Sequence, residues 1–296
     1  MKELEIIEQI RKKAGKPGGD VIAGIGDDCA VLKYSKEKYL LWSTDMLVEG
    51  THFIVPDAGY KKIGRKAVAV NISDIASMGG IPRFITVSIG APGPFRSRGF
   101  KSLYNGIEEV CEEFGVKLVG GDINRSEKLV IDISIIGTVE KNRLTKRSGA
   151  RAGDKILITG PVRDGRKDHF GFIPRVKEAR YLTSRYRITS MIDVSDGISL
   201  DIGRICDASD VGCSIYSGHI PLSRGLSLED ALYYGESFEL MFTMSARECD
   251  KLLSGKRGKH GFYVIGDILR RKKGRRLTGE NGKVSVLEGR GFSHLS

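Results

Sequence analysis

The sequence predicts an α+β protein of two domains. A length of 296 residues fits two units, at ~100–200 residues each. Strand-length apolar runs alternate with helix-length amphipathic segments up to about residue 140. A polar stretch, KNRLTKRSGARAGD at 141–154, then interrupts the pattern before an apolar run restarts it. The expected domains are therefore 1–140 and 141–296, each carrying a sheet with helices packed on it.

The elements follow in order. Residues 2–13 read as an amphipathic helix with Leu4, Ile6, Ile7 and Ile10 on one face. Two short apolar pieces flank GIGDDCAVL within 21–33, and Tyr39–Ser43 reads as a buried strand running into Thr44 and Asp45. Lys61–Met78 reads as a long helix ended by Gly79, Gly80 and Pro82. Residues 84–89 form a strand, 98–114 a helix stopped by Gly115, and 116–120 and 129–139 two further strands. In the second half, strands are expected at 155–160, 190–194, 211–216, 238–243, 262–266 and 283–287, with helices at 197–208 and 228–233. The stretch from 161 to about 188 reads as polar, basic and irregular.

Composition excludes several classes. Hydrophobic residues at 40% and charged residues at 29% are ordinary for a globular protein. No apolar stretch reaches the ~18 residues a membrane span needs, and the N-terminus lacks the apolar run of a signal peptide. The five cysteines form no C-x-x-C pair, which fits a reducing, cytoplasmic setting. The five histidines show no H-x-x-x-H spacing, which argues against zinc. The net charge of +11 suits nucleic acid, an acidic membrane surface or a polyphosphate ligand. The basic run between Arg270 and Arg276 has no interleaved aromatics, so it reads as a solvated loop and a nucleic-acid partner is not expected.

The informative pattern is carboxylate placement. Asp27 and Asp28 follow a Gly-Ile-Gly turn, Asp45 follows the strand YLLWST, and Asp74 lies in an otherwise apolar helix. Asp122 follows VKLVGG, and Asp193 and Asp196 lie in MIDVSDG. One such Asp is ordinarily a turn residue or an N-cap; recurrence in five segments points to a shared role. Asp27, Asp132 and Asp201 are weaker members of the set. Buried carboxylates are costly unless compensated, and the local sequences around these Asp residues carry no Lys or Arg to do so. Mg2+, which takes oxygen ligands and bridges carboxylates to phosphates, is the economical compensation. Ser43, Thr44 and Ser195 add neutral oxygens. No P-loop, nucleotide fingerprint, G-x-S-x-G or Cys/His pair is present.

The ordered strings GIGDDCAVL, STDMLVEGTHF, GRKAVAVNISDIASMGG, GGDINR, RSGARAGD and IDVSDG resemble the thiamine-monophosphate kinase family of the aminoimidazole-ribonucleotide-synthetase-like (PurM-like) superfamily. The resemblance runs from residue 24 to about 243. It implies phosphorylation of thiamine monophosphate to thiamine diphosphate by direct in-line transfer, with ATP as co-substrate, several Mg2+ ions and no phosphoenzyme. It implies an N-terminal PurM-like sheet with helices on one face, a half-barrel completed in a homodimer, and a C-terminal α+β domain covering the nucleotide cleft. The family's metal positions fall on Asp28, Ser43, Thr44, Asp45, Asp74, Asp122, Asp193 and Asp196. Its ATP contacts fall on Tyr104, Gly121, Asp122, Arg147 and Ser195, and its substrate contacts on His52, Glu236 and Phe292.

Two departures lie in the second half. The family's G-E-D-Y-E-L reads G-E-S-F-E-L here, with Ser237 and Phe238 at the changed positions. Its Gly/Ala-rich G-D-S-x-x-G element is replaced by PVRDGRKDHFGF, in a segment shorter by about a helix. These changes leave two alternatives beside the kinase: another ATP-using enzyme of the superfamily with a different acceptor, and a non-catalytic nucleotide-binding paralogue.

Overall fold

Between two β-sheets lies helix α3 (Tyr60–Ser77), whose thirteen buried residues are spread around its circumference. A helix that is apolar on every side must be covered on every side, and the fold supplies a sheet for each flank. The computed structural model describes residues 3–93, 97–165, 169–255 and 261–292.

The first sheet contains β1 (Val21–Ala23), β2 (Ala30–Lys33), β3 (Lys38–Val48), β4 (Ile81–Ala91), β5 (Lys117–Arg125) and β6 (Val130–Glu140). Their spatial order is β1-β2-β3-β6-β4-β5. Only the β4–β5 pair is parallel; the connection between them is α4 (Ser97–Phe114), the crossover such a pair requires. Strict alternation of buried and half-buried residues along β6 marks a sheet covered on one face. That cover is α3 and α4. The two helices meet through Gly64 and Gly106: a Cβ on Gly64 would collide with the Leu103 carbonyl oxygen, and one on Gly106 with that of Lys61. The opposite face is open, with Trp42, Met46 and Phe84 exposed.

The second sheet contains β7 (Asp154–Ile158), β8 (Ile188–Asp193), β9 (Val211–Tyr216), β10 (Leu240–Ser245), β11 (Tyr263–Arg270), β12 (Arg275–Thr278) and β13 (Val284–Val286), in the order β13-β12-β9-β11-β7-β10-β8. Both faces of its central strands β7, β8 and β10 are buried, while the edge strand β13 is exposed. Ile156, Ile158 and Met241 pack against α6 (Ile198–Ser209) and α7 (Leu228–Tyr233). Leu157, Leu240 and Phe242 pack against α5 (Val176–Arg185), α8 (Ala246–Ser254) and Ala76 of α3. Double coverage explains the near-continuous apolar runs of β7, β8 and β10. Outside these layers lie α1 (Glu3–Ala14) and the single turn α2 (Val55–Ala58).

Four expectations need correction. The long helix ends at Ser77, and Pro82 stands inside β4, beside a register shift between Pro82 and Phe84 that accommodates it. The stretch expected to be irregular contains α5, whose buried face is only Ala179 and Leu182, too narrow to read as a period. α8 was not expected; Ser245 caps it by accepting from the Glu248 backbone N–H, an S-x-x-E signature at 245–248. The basic run is not all loop. Arg275 and Arg276 begin β12, which pairs in parallel with β9.

Candidate active site

A cleft of about 1,100 Å³ opens between the two halves. Three elements deliver its acidic floor: the turn after β1, which carries Asp28; α3, which carries Asp74; and the end of β8, which carries Asp193. One oxygen from each lies within 4.8 Å of the others. Gly26 permits the tight turn before Asp28 with φ of 117°.

The partners of these carboxylates are specific. Asp28 Oδ1 accepts from Arg147 Nε (3.0 Å) and Nη2 (2.5 Å), and its Oδ2 accepts from the Ser77 hydroxyl at 2.7 Å. Asp74 Oδ2 accepts from the Ser43 hydroxyl and Asp193 Oδ2 from the Ser73 hydroxyl, both at 2.5 Å. Among the described residues no cation pairs with Asp74 or Asp193. Burial, then Asp45, Asp193 and Asp28, push the Asp74 carboxyl far above its ordinary value. Burial and then Asp28 do the same to Asp193. Burial and Asp28 lift Asp27 to about 6.

These donors suit a hard divalent cation. They are all oxygens, and they crowd negative charge that the chain itself leaves largely uncompensated. Asp45 joins them from β3, its backbone N–H held by Asn71 Oδ1 at 3.1 Å. Asp196 stands further along the cleft, where Arg204 Nη2 donates to its Oδ2 at 2.5 Å. Arg204 also bonds the fully buried Asp201, whose carboxyl burial lifts to about 7.

The structure thus gathers Asp28, Ser43, Asp45, Asp74, Arg147, Asp193, Ser195 and Asp196 along one cleft. His52, Glu236 and Phe292 line the same cleft with Phe53, Phe170 and Phe238; the Glu236 backbone N–H donates to the Ser195 carbonyl at 2.7 Å and that of Phe292 to the Asp196 carbonyl at 3.1 Å. His52 Nδ1 accepts from the Val48 backbone N–H at 3.0 Å. Four residues behave otherwise. Thr44 borders the cleft, but its hydroxyl donates to Asp132 Oδ1 and the Ile133 carbonyl, because successive residues of β3 alternate sides. Asp122 and Gly121 lie on β5, separated from β3 by β6 and β4, and Asn124 Nδ2 donates to Asp122 at 2.5 Å. Tyr104 stacks on Phe100 with centroids 4.7 Å apart, packed on the first core. Within one chain none of Tyr104, Gly121 and Asp122 lines the cleft.

The two departures have a structural account. Ser237 is buried and accepts from the Arg163 backbone N–H at 3.3 Å. Phe238 stacks on Phe172 at 4.1 Å with an interplanar angle of 16°. The replacement segment therefore supplies the partner of the replaced residue, and it places His169 and Phe170 on the cleft wall.

Sequence reasoning passed over Lys66, Asn71, Ser73, Ser77, His169 and Arg204. A signal for the α3 residues existed. Lys66, Ser73, Asp74 and Ser77 recur at helical spacing and form a polar stripe inside an apolar helix. Arg147 and Arg204 supply the cations missing from the local sequence, from 119 residues away in the first case.

Comparison with known proteins follows this geometry. Residues 26–139 match the AIR synthase related protein, N-terminal domain, and residues 163–278 match its C-terminal domain. The thiamine-monophosphate kinase of Buchnera aphidicola is 34% identical over 99% of this chain and 98% of its own. The chain belongs to the thiamine-monophosphate kinase family. The family's Bacillus subtilis member is 30% identical over the full length of both chains. A solved structure of the family, described as AaThiL complexed with AMPPCP and TMP, superposes with a TM-score of 0.85 at 27% identity, covering 99% of this chain and 97% of that one.

Proposed function

We propose that this chain transfers the γ-phosphoryl group of ATP to thiamine monophosphate, giving thiamine diphosphate and ADP. The observation that carries this reading is the convergence of Asp28 and Asp74 from the first half with Asp193 from the second, in a cleft also lined by Phe53, Phe170, Phe238 and Phe292. Full-length identity to thiamine-monophosphate kinases supports it.

Asp28, Ser43, Asp45, Asp74, Asp193 and Asp196 would hold Mg2+, which when bound neutralises phosphate charge. The chain's own residues orient and enclose. Arg147 fixes Asp28 and Arg204 fixes Asp196, so both carboxylates keep their orientation in the cleft. Ser195 and Arg147 would meet ATP, and His52, Glu236 and Phe292 the acceptor; all five line the one cleft. The acceptor is already an anionic phosphate oxygen, so no general base is required and no side chain need carry the phosphoryl group. Positioning and charge neutralisation suffice for such a transfer.

A second copy completes the picture. Trp42, Met46 and Phe84 on the open face, and Val119 and Ile123 on the edge strand β5, form an exposed apolar surface of the kind that pairing covers. Asp122, Gly121 and Tyr104 would reach a cleft in such a homodimer. The division at residue 140 into an ATP- and Mg2+-binding unit and a second α+β unit follows the two sheets. The free, buried cysteines suit the cytoplasm, and no helix among the described residues is long and apolar enough to cross a membrane.

Incubation of the protein with ATP, Mg2+ and thiamine monophosphate tests the reading. Equimolar thiamine diphosphate and ADP are expected. ADP formed only with a different acceptor assigns the chain another substrate, and no ADP with any acceptor leaves nucleotide binding without catalysis.

A further inference from the structure

Lys66 is fully buried, yet it lies on the central helix α3 with its ammonium facing the acceptor end of the cleft. Its Nζ donates to the His52 carbonyl at 3.0 Å and to Glu236 Oε1. His169 Nδ1 stands 2.6 Å from the other Glu236 oxygen and 2.6 Å from Nζ. The two contacts of Nδ1 alternate with the tautomer: it accepts from Nζ or donates to Glu236, and when it donates each oxygen of Glu236 receives one donor. Phe170 places its ring 5.5 Å from Nζ. His52 belongs to the loop after β3, His169 to the segment after β7, and Glu236 to the loop before β10, so one cation ties three separate stretches of both halves. Glu236 itself is held at φ of 66°, a left-handed conformation that a non-glycine residue keeps only under external constraint.

We propose that Lys66 and His169 are positioning residues for the acceptor. Together they fix the Glu236 carboxylate, and through it the far wall of the cleft, in the orientation that meets thiamine monophosphate. This rests on the function proposed above. The burial of Glu236 opposes its ionisation, but His169 and Lys66 outweigh it and hold the carboxyl below its ordinary value, so the fixed group is an anion. An anion held on an aromatic wall is complementary to the cationic thiazolium ring of the acceptor. The side chains of Lys66 and His169 bond to neither Arg147 nor Ser195, the residues assigned to ATP, which makes the effect separable.

The test is steady-state kinetics of His169→Gln and Lys66→Met, with Lys66→Arg as the conservative variant. His169→Gln is expected to raise KM for thiamine monophosphate about tenfold, with kcat, KM for ATP and the melting temperature little changed, because the binding of the acceptor is weakened equally in ground and transition states. Lys66→Met is expected to raise the same KM further, and Lys66→Arg to restore part of it. Amide hydrogen exchange gives a readout independent of turnover. Exchange at residues 234–239 is expected to rise in His169→Gln while β4 and β6 stay unchanged. An unchanged KM for thiamine monophosphate, or equal effects on both substrates, overturns the inference while leaving the kinase reading intact. Unchanged exchange at 234–239 overturns it even in a protein that turns over no thiamine monophosphate.

Discussion

Asp74 illustrates the chemistry at the scale of one residue. It lies on a buried helix, shares its surroundings with Asp28 and Asp193, and has a serine hydroxyl as its named partner. In the cation-free protein the three carboxylates repel one another, and removing one charge relieves that repulsion. Asp74→Asn is therefore expected to lose turnover by about a thousandfold or more, an order typical of removing an electrostatic group that acts on the transition state. Its melting temperature without Mg2+ is expected to equal or exceed that of the wild type, and Mg2+ is expected to stabilise it less. A parallel thermal series with and without Mg2+ separates this from simple unfolding. Asp28, Asp45, Asp74 and Asp193 were legible in the sequence, because each interrupts an apolar run. The roles of Lys66 and His169 were not, because the group that gives them meaning arrives from a distant segment: Glu236 lies 170 residues from Lys66, whose place in the polar stripe of α3 was the one signal.

At the scale of elements, close approach of α3 to α4 depends on two side chains of zero volume. Gly64→Ala is expected to destabilise the fold by roughly 1–3 kcal/mol, because the added methyl meets a backbone carbonyl that cannot swing aside. Chemical denaturation of the variant measures this. The second contact worth probing joins α5 to β6. Arg180 donates to both oxygens of Glu140, at 2.6 and 2.9 Å, and to the Gly79 carbonyl at 2.8 Å. These bonds lower the Glu140 carboxyl from 4.5 to about 2. A depressed carboxyl favours the folded state above pH 4.5, and the benefit disappears as pH falls toward about 2. Glu140→Gln is thus expected to be less stable than the wild type at neutral pH, with a shallower loss of stability through that acid range in pH-dependent melting. Strong periodicity made α1, α4 and β6 readable. α5 and α8 were hidden because each buries only a pair of side chains, and β12 because its arginines lie in a strand half-buried beside β9.

At the scale of the whole molecule, two α+β halves share α3, and a substrate cleft forms where they meet. The layer architecture followed from alternating apolar runs. Helices on only one face of the first sheet were expected as well; that Trp42 and Met46 are among the residues left exposed was not, since it depends on which side of β3 the helices occupy. If the chain forms the homodimer proposed above, Trp42→Glu is expected to shift it to monomer in sedimentation velocity without unfolding it, because the indole is exposed within each chain.

β3 sends Ser43 and Asp45 toward the carboxylates and Trp42, Thr44 and Met46 toward the opposite side. Neighbouring positions on one ribbon, about 3.4 Å apart along it, therefore answer to different demands. In the proposed homodimer, a shift of this ribbon on separation of the copies would also displace Ser43 and Asp45. Specific activity should then fall on dilution, and its midpoint concentration would report how tightly the copies hold together.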